Sequence, residues 1–230
     1  MPIVRVGLLD SGVGAELLPH VIHARRFIAG DQGRVADAPL AADRVGHGTV
    51  VARTLLGHVG HASVEFVVAQ AFGESMQVAA EVVAAGLAWL VTQNVALVCL
   101  SFGVRVDEPG LAAGTDTALS RGIVLVAAAP ARGGPVYPAA YPGVIAVCGD
   151  ARCGPDDVSE LGGEPADYGA CPRPAGGRLG RALGGASCAA AHVAGLLAGF
   201  FSGRAPGDAS SAREYLCRAA RYRGRERRSM

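Results

Sequence analysis

Apolar residues along this chain fall into two kinds of run. Short, nearly continuous stretches of β-branched and aliphatic residues occupy 3–9, 64–71, 95–100, 123–129 and 144–148. Runs of that length without polar alternation read as strands covered on both faces. Longer stretches lie between and after them. Residues 76–92 and 111–121 read as helices, a helix opens at Gly46-His47 and continues through Leu56, small and apolar residues run unbroken from Ser187 to Phe201, and a last helix covers 209–220. Strands alternating with helices predict an α/β fold, a mostly parallel sheet flanked by helices on both faces.

Two regions break the alternation. Residues 18–44, with His20, His23 and several charges, read as irregular solvated surface; residues 149–183, rich in Gly, Pro and Asp, read as loop with short strands near Val158 and Tyr168. The end of the chain, 218–230, carries six arginines and one glutamate and reads as a basic, frayed tail on a single 1–230 domain.

Composition narrows the chemistry. With 230 residues, 50% hydrophobic and 18% charged, the chain suits one globular domain with a sizeable core. All 21 basic residues are arginine, which excludes Schiff-base and P-loop lysine chemistry. A net charge of +1 and 5% aromatic residues argue against a nucleic-acid partner for the body of the protein. No apolar run is long enough to span a membrane, and the first residues form a strand rather than a secretion signal, so a cytoplasmic setting is expected. The six cysteines have no metal-binding spacing and read as free thiols. His58 and His61 are close together but lack an evident third ligand, so neither a metal nor a cofactor is expected.

Three polar residues sit at the ends of predicted elements. Asp10 ends the first strand, where α/β sheets gather ligands, and His47 opens a helix. Ser187 follows Gly184-Gly185 at a helix start, where a serine serves as an N-cap or, beside the positive helix end, as a nucleophile. A serine hydroxyl becomes a useful nucleophile when an imidazole takes its proton and a carboxylate orients that imidazole. Asp10, His47 and Ser187 supply one group of each kind.

The motifs around them resemble those of subtilisin-like serine proteases. Asp10-Ser11-Gly12 resembles the aspartate motif, His47-Gly48-Thr49-Val50-Val51-Ala52 the histidine motif HGTxVA, and residues 185–195 the serine motif GTSMAxPHVAG. Ser101-Phe102-Gly103 resembles the SLG segment, and residues 137–147 the stretch after the oxyanion asparagine. The resemblance implies Ser187 as nucleophile, His47 as base and Asp10 as orienter, with His192 at a structural helix position. It further implies an extended peptide or protein substrate lying beside Ser101, Phe102 and Gly103, with its P1 side chain between them and Ala127, Ala128 and Ala129.

The family pattern is not matched throughout. Ala131 stands where the family has the asparagine that donates to the oxyanion, leaving the backbone N–H of Ser187, and Arg132 beside it is a candidate substitute donor. The segment 58–63 is short where many subtilisins carry a calcium loop, so no calcium dependence is expected. Two readings stay open: a slow, selective endopeptidase for limited processing, such as leader-peptide removal, or a pseudoprotease that only holds a peptide. In size and missing parts the chain is similar to the small maturation proteases of the quinohemoprotein amine dehydrogenase pathway.

Overall fold

The computed structural model describes residues 3–59, 64–163, 165–175, 184–202 and 207–226. Within them lie strands β1 (Val4–Asp10), β2 (Val21–Ala29), β3 (Val35–Ala38), β4 (Val64–Gln70), β5 (Leu97–Leu100), β6 (Val124–Ala128), β7 (Ile145–Gly149), β8 (Val158–Gly163), β9 (Ala166–Ala170) and β10 (Ala220–Arg223). The helices are α1 (His47–Leu56), α2 (Ala80–Val91), α3 (Pro109–Ser120), α4 (Ala186–Phe201) and α5 (Ala209–Ala219).

All ten strands form one sheet in the order β10, β8, β9, β7, β6, β5, β1, β4, β2, β3. Neighbours run parallel except β2 with β3 and β8 with β9. Strand period explains why the central strands read as continuous apolar runs. Val6 and Leu8 of β1 pack with Val51 and Leu55 of α1 and Leu197 of α4, while Leu9 points the other way to Leu87 and Leu90 of α2 and Leu111 of α3. Cys99 and Leu100 of β5 divide likewise between the two layers. Full burial of a side chain such as Leu55 or Leu87 stabilises the fold by about 1.5–3 kcal/mol.

The edges depart from the sequence expectation. Residues 18–44 are not irregular: a 3-10 turn at Ala15–His20 leads into β2, which pairs parallel with β4 and antiparallel with β3. Only Phe27 of β2 is fully buried; Val21 and Ala24 pack partly on one layer and Ile22 on the other, and His23, Arg25 and Arg26 break the apolar run. The expected tail also contributes structure, since β10 pairs parallel with β8 and the Gly224 N–H donates to Glu160 O at 2.7 Å. Residues 227–230 lie outside the described residues. Among the described residues no helix is long and apolar enough to cross a membrane.

The topology prepares a site. From β1 the chain goes on to β2 and β3, beyond β4 in the sheet order, before reaching α1, whereas from the adjacent β5 it goes through α3 to β6 in the opposite direction. Connections that diverge in this way open a crevice beyond the carboxyl ends of the two strands, the switch point where α/β sheets bind ligands. Asp10 ends β1 and Ser101 follows β5.

Candidate active site

Beyond Asp10 the chain must turn sharply and α1 must come close. Gly12 takes a φ of 107°, a left-handed value that suits glycine. Gly48, in the first turn of α1, packs so tightly on this turn that an added Cβ would approach Gly12 O closer than 3.0 Å. Asp43 secures the approach. It accepts hydrogen bonds from Ser11 Oγ at 2.8 Å, Gly46 N at 2.7 Å, Thr49 N at 2.9 Å and Thr49 Oγ1 at 2.5 Å. Its carboxylate therefore caps the start of α1, where unpaired N–H groups and the helix dipole favour an anion. Ser11 Oγ in turn accepts from Gly48 N at 2.9 Å, and Gln70 ties the turn down by donating to Ser11 O at 2.8 Å.

This frame presents His47 to Asp10. His47 Nδ1 donates to Asp10 Oδ1 at 2.8 Å, and the same oxygen accepts from Ser11 N at 2.7 Å. Asp10 Oδ2 accepts from Ser101 Oγ. Asp10 is 1% exposed and His47 8%, so their interaction works largely out of water. Burial alone would lower the His47 pKa, but the charge of Asp10, its hydrogen bond and the charge of Asp43 outweigh burial and hold the imidazole above its ordinary 6.5. With Nδ1 committed to the carboxylate, Nε2 is the nitrogen left for proton transfer.

Ser187 stands in the first turn of α4, entered through Gly185 at a φ of 85°. Its Oγ donates to the carbonyl oxygen of Ser101 at 2.7 Å. Ser187, His47, Ser101, Phe102 and Gly103 line one cleft of about 480 Å³. Cys188, the next residue, is 1% exposed and burial pushes its thiol up to about 11, so it stays a neutral thiol at neutral pH.

Not every sequence-derived site residue faces this cleft. Ala127, Ala128 and Ala129 are buried in the two core layers and do not line it. The opposite wall is instead Phe72, Met76, Gln77 and Val78, with the Phe72 and Phe102 rings 5.5 Å apart. Residues 76–79, expected to begin a helix, precede α2 and are free to serve as wall. Ala131 and Arg132 are exposed and border a separate cavity with Gly149 and Arg225.

His192 is engaged elsewhere. It donates from Nε2 to Arg173 O at 2.8 Å, and its Nδ1 lies 2.7 Å from His58 Nε2, joining α4 to the end of α1. Burial lowers the pKa of both imidazoles. His61 lies outside the described residues, as does most of the short 58–63 segment. Among the described residues no three His, Cys, Asp or Glu side chains could jointly hold a metal ion, and the six cysteines are free thiols.

Solved structures share this architecture. A psychrophilic protease, S41, matches with a TM-score of 0.67 at 17% identity, over 94% of this chain and 82% of that one. The crystal structure of a lanthipeptide protease matches with a TM-score of 0.69 at 16% identity, over 95% and 80%. By sequence, a thermostable alkaline protease of Halalkalibacterium halodurans is 31% identical over 152 residues, 62% of this chain and 40% of the relative. Subtilisin Savinase of Lederbergia lenta is 31% identical over 153 residues, 63% of this chain and 54% of the relative. The chain thus spans about half the length of these curated relatives. Residues 3–229 match the family described as Peptidase_S8, Subtilase family. A match of that extent, over a parallel sheet whose switch point holds Asp10 and His47, means that the chain belongs to the subtilase family.

Proposed function

We propose that the protein is a serine endopeptidase with Ser187 as nucleophile, His47 as general base and acid, and Asp10 as orienter. The observation that carries this reading is the buried Asp10–His47 hydrogen bond opening on a cleft shared with Ser187 at a helix N-terminus. The Ser187 hydroxyl turns from Ser101 O toward His47 Nε2 when a peptide carbonyl enters, gives its proton to that nitrogen and adds to the carbonyl carbon. His47 returns the proton to the departing amine. A water, deprotonated by the same imidazole, then releases the acyl group. The extended substrate lies along Ser101 to Gly103, just before Val104 pairs with Tyr137.

Turnover is slow and the substrate selective. Ala131 offers no side-chain donor, and the loss of one oxyanion donor costs about 100- to 1000-fold in subtilisin. The Ser187 N–H and the α4 dipole remain for the oxyanion. Such a site suits limited cleavage of a dedicated peptide, such as removal of a leader, better than general digestion. A fluorophosphonate probe should label the wild-type protein and not Ser187→Ala. If the folded wild type resists labelling yet binds peptides, the cleft is a binding module instead.

A further inference from the structure

An arginine from the last described stretch of the chain reaches the Ala131 position. Past β10, Gly224 is fastened on both sides: its N–H donates to Glu160 O at 2.7 Å, and its carbonyl accepts from Arg152 Nη2 at 2.8 Å. Arg152 is itself fixed by Asp150, whose Oδ2 accepts from its Nη2 at 2.7 Å. This anchoring delivers Arg225 to the loop after β6. Arg225 Nη1 donates to Ala131 O at 3.0 Å, and Nη2 reaches Gly163 O at 3.3 Å. Ala131, Cys148, Gly149 and Arg225 line one cavity of about 410 Å³. Gly149 also packs on the entrance to α4: a Cβ there would lie 3.7 Å from Gly185 Cα, and Ser187 follows two residues later. Gly149 thus borders both the cavity that holds Ala131 and Arg225 and the entrance to α4.

We infer that Arg225 is a positioning residue for the proposed acyl transfer, holding the Ala131 loop against the sheet and fixing a cation beside the position that lacks a side-chain amide. This rests on the serine-peptidase reading. A guanidinium stays charged at every working pH and binds carbonyls through a rigid fork, so it can hold a loop and bias a developing oxyanion together. Arg225 is exposed and acts through Ala131, so its effect is smaller than that of a direct donor. Glu226 shares the cavity and tempers the field; Asp150 is neutralised by Arg152.

The test is the rate of Ser187 modification by a fluorophosphonate, resolved into kinact and KI, because the phosphoryl oxygen develops charge where the peptide oxyanion would. Arg225→Ala should lower kinact about 10-fold or more, short of the roughly 100-fold of a direct donor, with KI and Tm unchanged. Arg225→Lys should recover part of the loss. Ala131→Asn in the Arg225→Ala background should restore kinact to the wild-type value or above. A kinact within about twofold of wild type in Arg225→Ala would overturn the inference. So would a loss that tracks Tm and that neither Lys nor Ala131→Asn relieves. If wild type is not labelled at all, the serine-peptidase reading fails and this inference with it; if it is labelled and Arg225 is silent, only the inference falls.

Discussion

Replacing Asp10 with asparagine removes a charge while keeping the shape, and the hydrogen bonds around it predict what is lost. Oδ1 accepts from Ser11 N, a backbone N–H that can only donate, and from His47 Nδ1. An amide NH2 at that place would set N–H against N–H, so the asparagine oxygen must take it. The NH2 then faces Ser101, whose hydroxyl can accept as readily as donate. His47 therefore keeps its Nδ1–H tautomer and Nε2 stays available. What disappears is the attraction between the carboxylate and the imidazolium formed during reaction. With charge centres about 4 Å apart and an effective dielectric of about 20, that attraction is about 4 kcal/mol. Turnover should fall about 1000-fold, short of the roughly 10,000-fold expected when the wrong tautomer forms. The pH profile separates the two cases. On the serine-peptidase reading the neutral imidazole is the active form; its pKa is raised, so the rate should fall as pH drops through a midpoint above 6.5. In the variant the Asp10 charge is gone, burial lowers the pKa against the charge of Asp43, and the midpoint should move toward acid. Labelling rates from about pH 5 to 9, with imidazole nitrogen shifts by NMR, measure both. An unmoved or more alkaline midpoint, or an Nε2–H tautomer, would refute the reasoning.

Three other substitutions probe the frame. Gly48→Ala drives a Cβ into the Gly12 carbonyl, so α1 must back away; stability should fall by about 1–3 kcal/mol in a denaturant titration, with labelling of Ser187 reduced in parallel. Asp43→Ala strips four donors of their acceptor and should cost about 2 kcal/mol, the upper end for a helix cap, while moving the His47 midpoint toward acid; an unchanged midpoint would remove Asp43 from the electrostatics. The folded state resists protonating His58 and His192, whereas the unfolded chain binds protons near pH 6.5, so stability should decline as pH falls below that value. His58→Leu should cost about 1–3 kcal/mol at neutral pH by orphaning His192 Nδ1, yet show a shallower acid decline in pH-dependent melts. A decline as steep as wild type would place the acid sensitivity elsewhere.

How legible each strand is in the sequence depends on how it is buried. Strands β1, β4, β5, β6 and β7 are covered on both faces, and two-sided burial leaves an apolar run that can be read without any structure. β2, β3 and β10 lie at or next to the sheet edges, where half the surface meets water and the ladder bonds do the holding. Backbone hydrogen bonds leave no mark on side-chain polarity, so 18–44 read as irregular and 220–223 as tail. The same logic explains the alanines. A strand legible as a continuous apolar run has both faces covered, so Ala127 and Ala128 are buried in the two layers and are not among the residues lining the cleft.

The site divides along a similar line. Asp10, His47 and Ser187 are visible in the sequence because each stands at an element end, where pattern changes abruptly from apolar to polar. Asp43 gives no such signal, because it sits in a loop and its partners, two backbone N–H groups and two hydroxyls, are brought to it only by the docking of α1 against the turn after β1. Ser101 reads as part of the substrate edge, yet its hydroxyl holds Asp10 and its carbonyl holds Ser187. That double engagement has a consequence for catalysis. A substrate strand pairing along Ser101 to Gly103 competes for the groups that fix the resting serine, so peptide binding and release of the Ser187 hydroxyl toward His47 become one event. An enzyme built this way keeps its nucleophile parked until the correct chain lies in the cleft, as the proposed slow and selective endopeptidase requires.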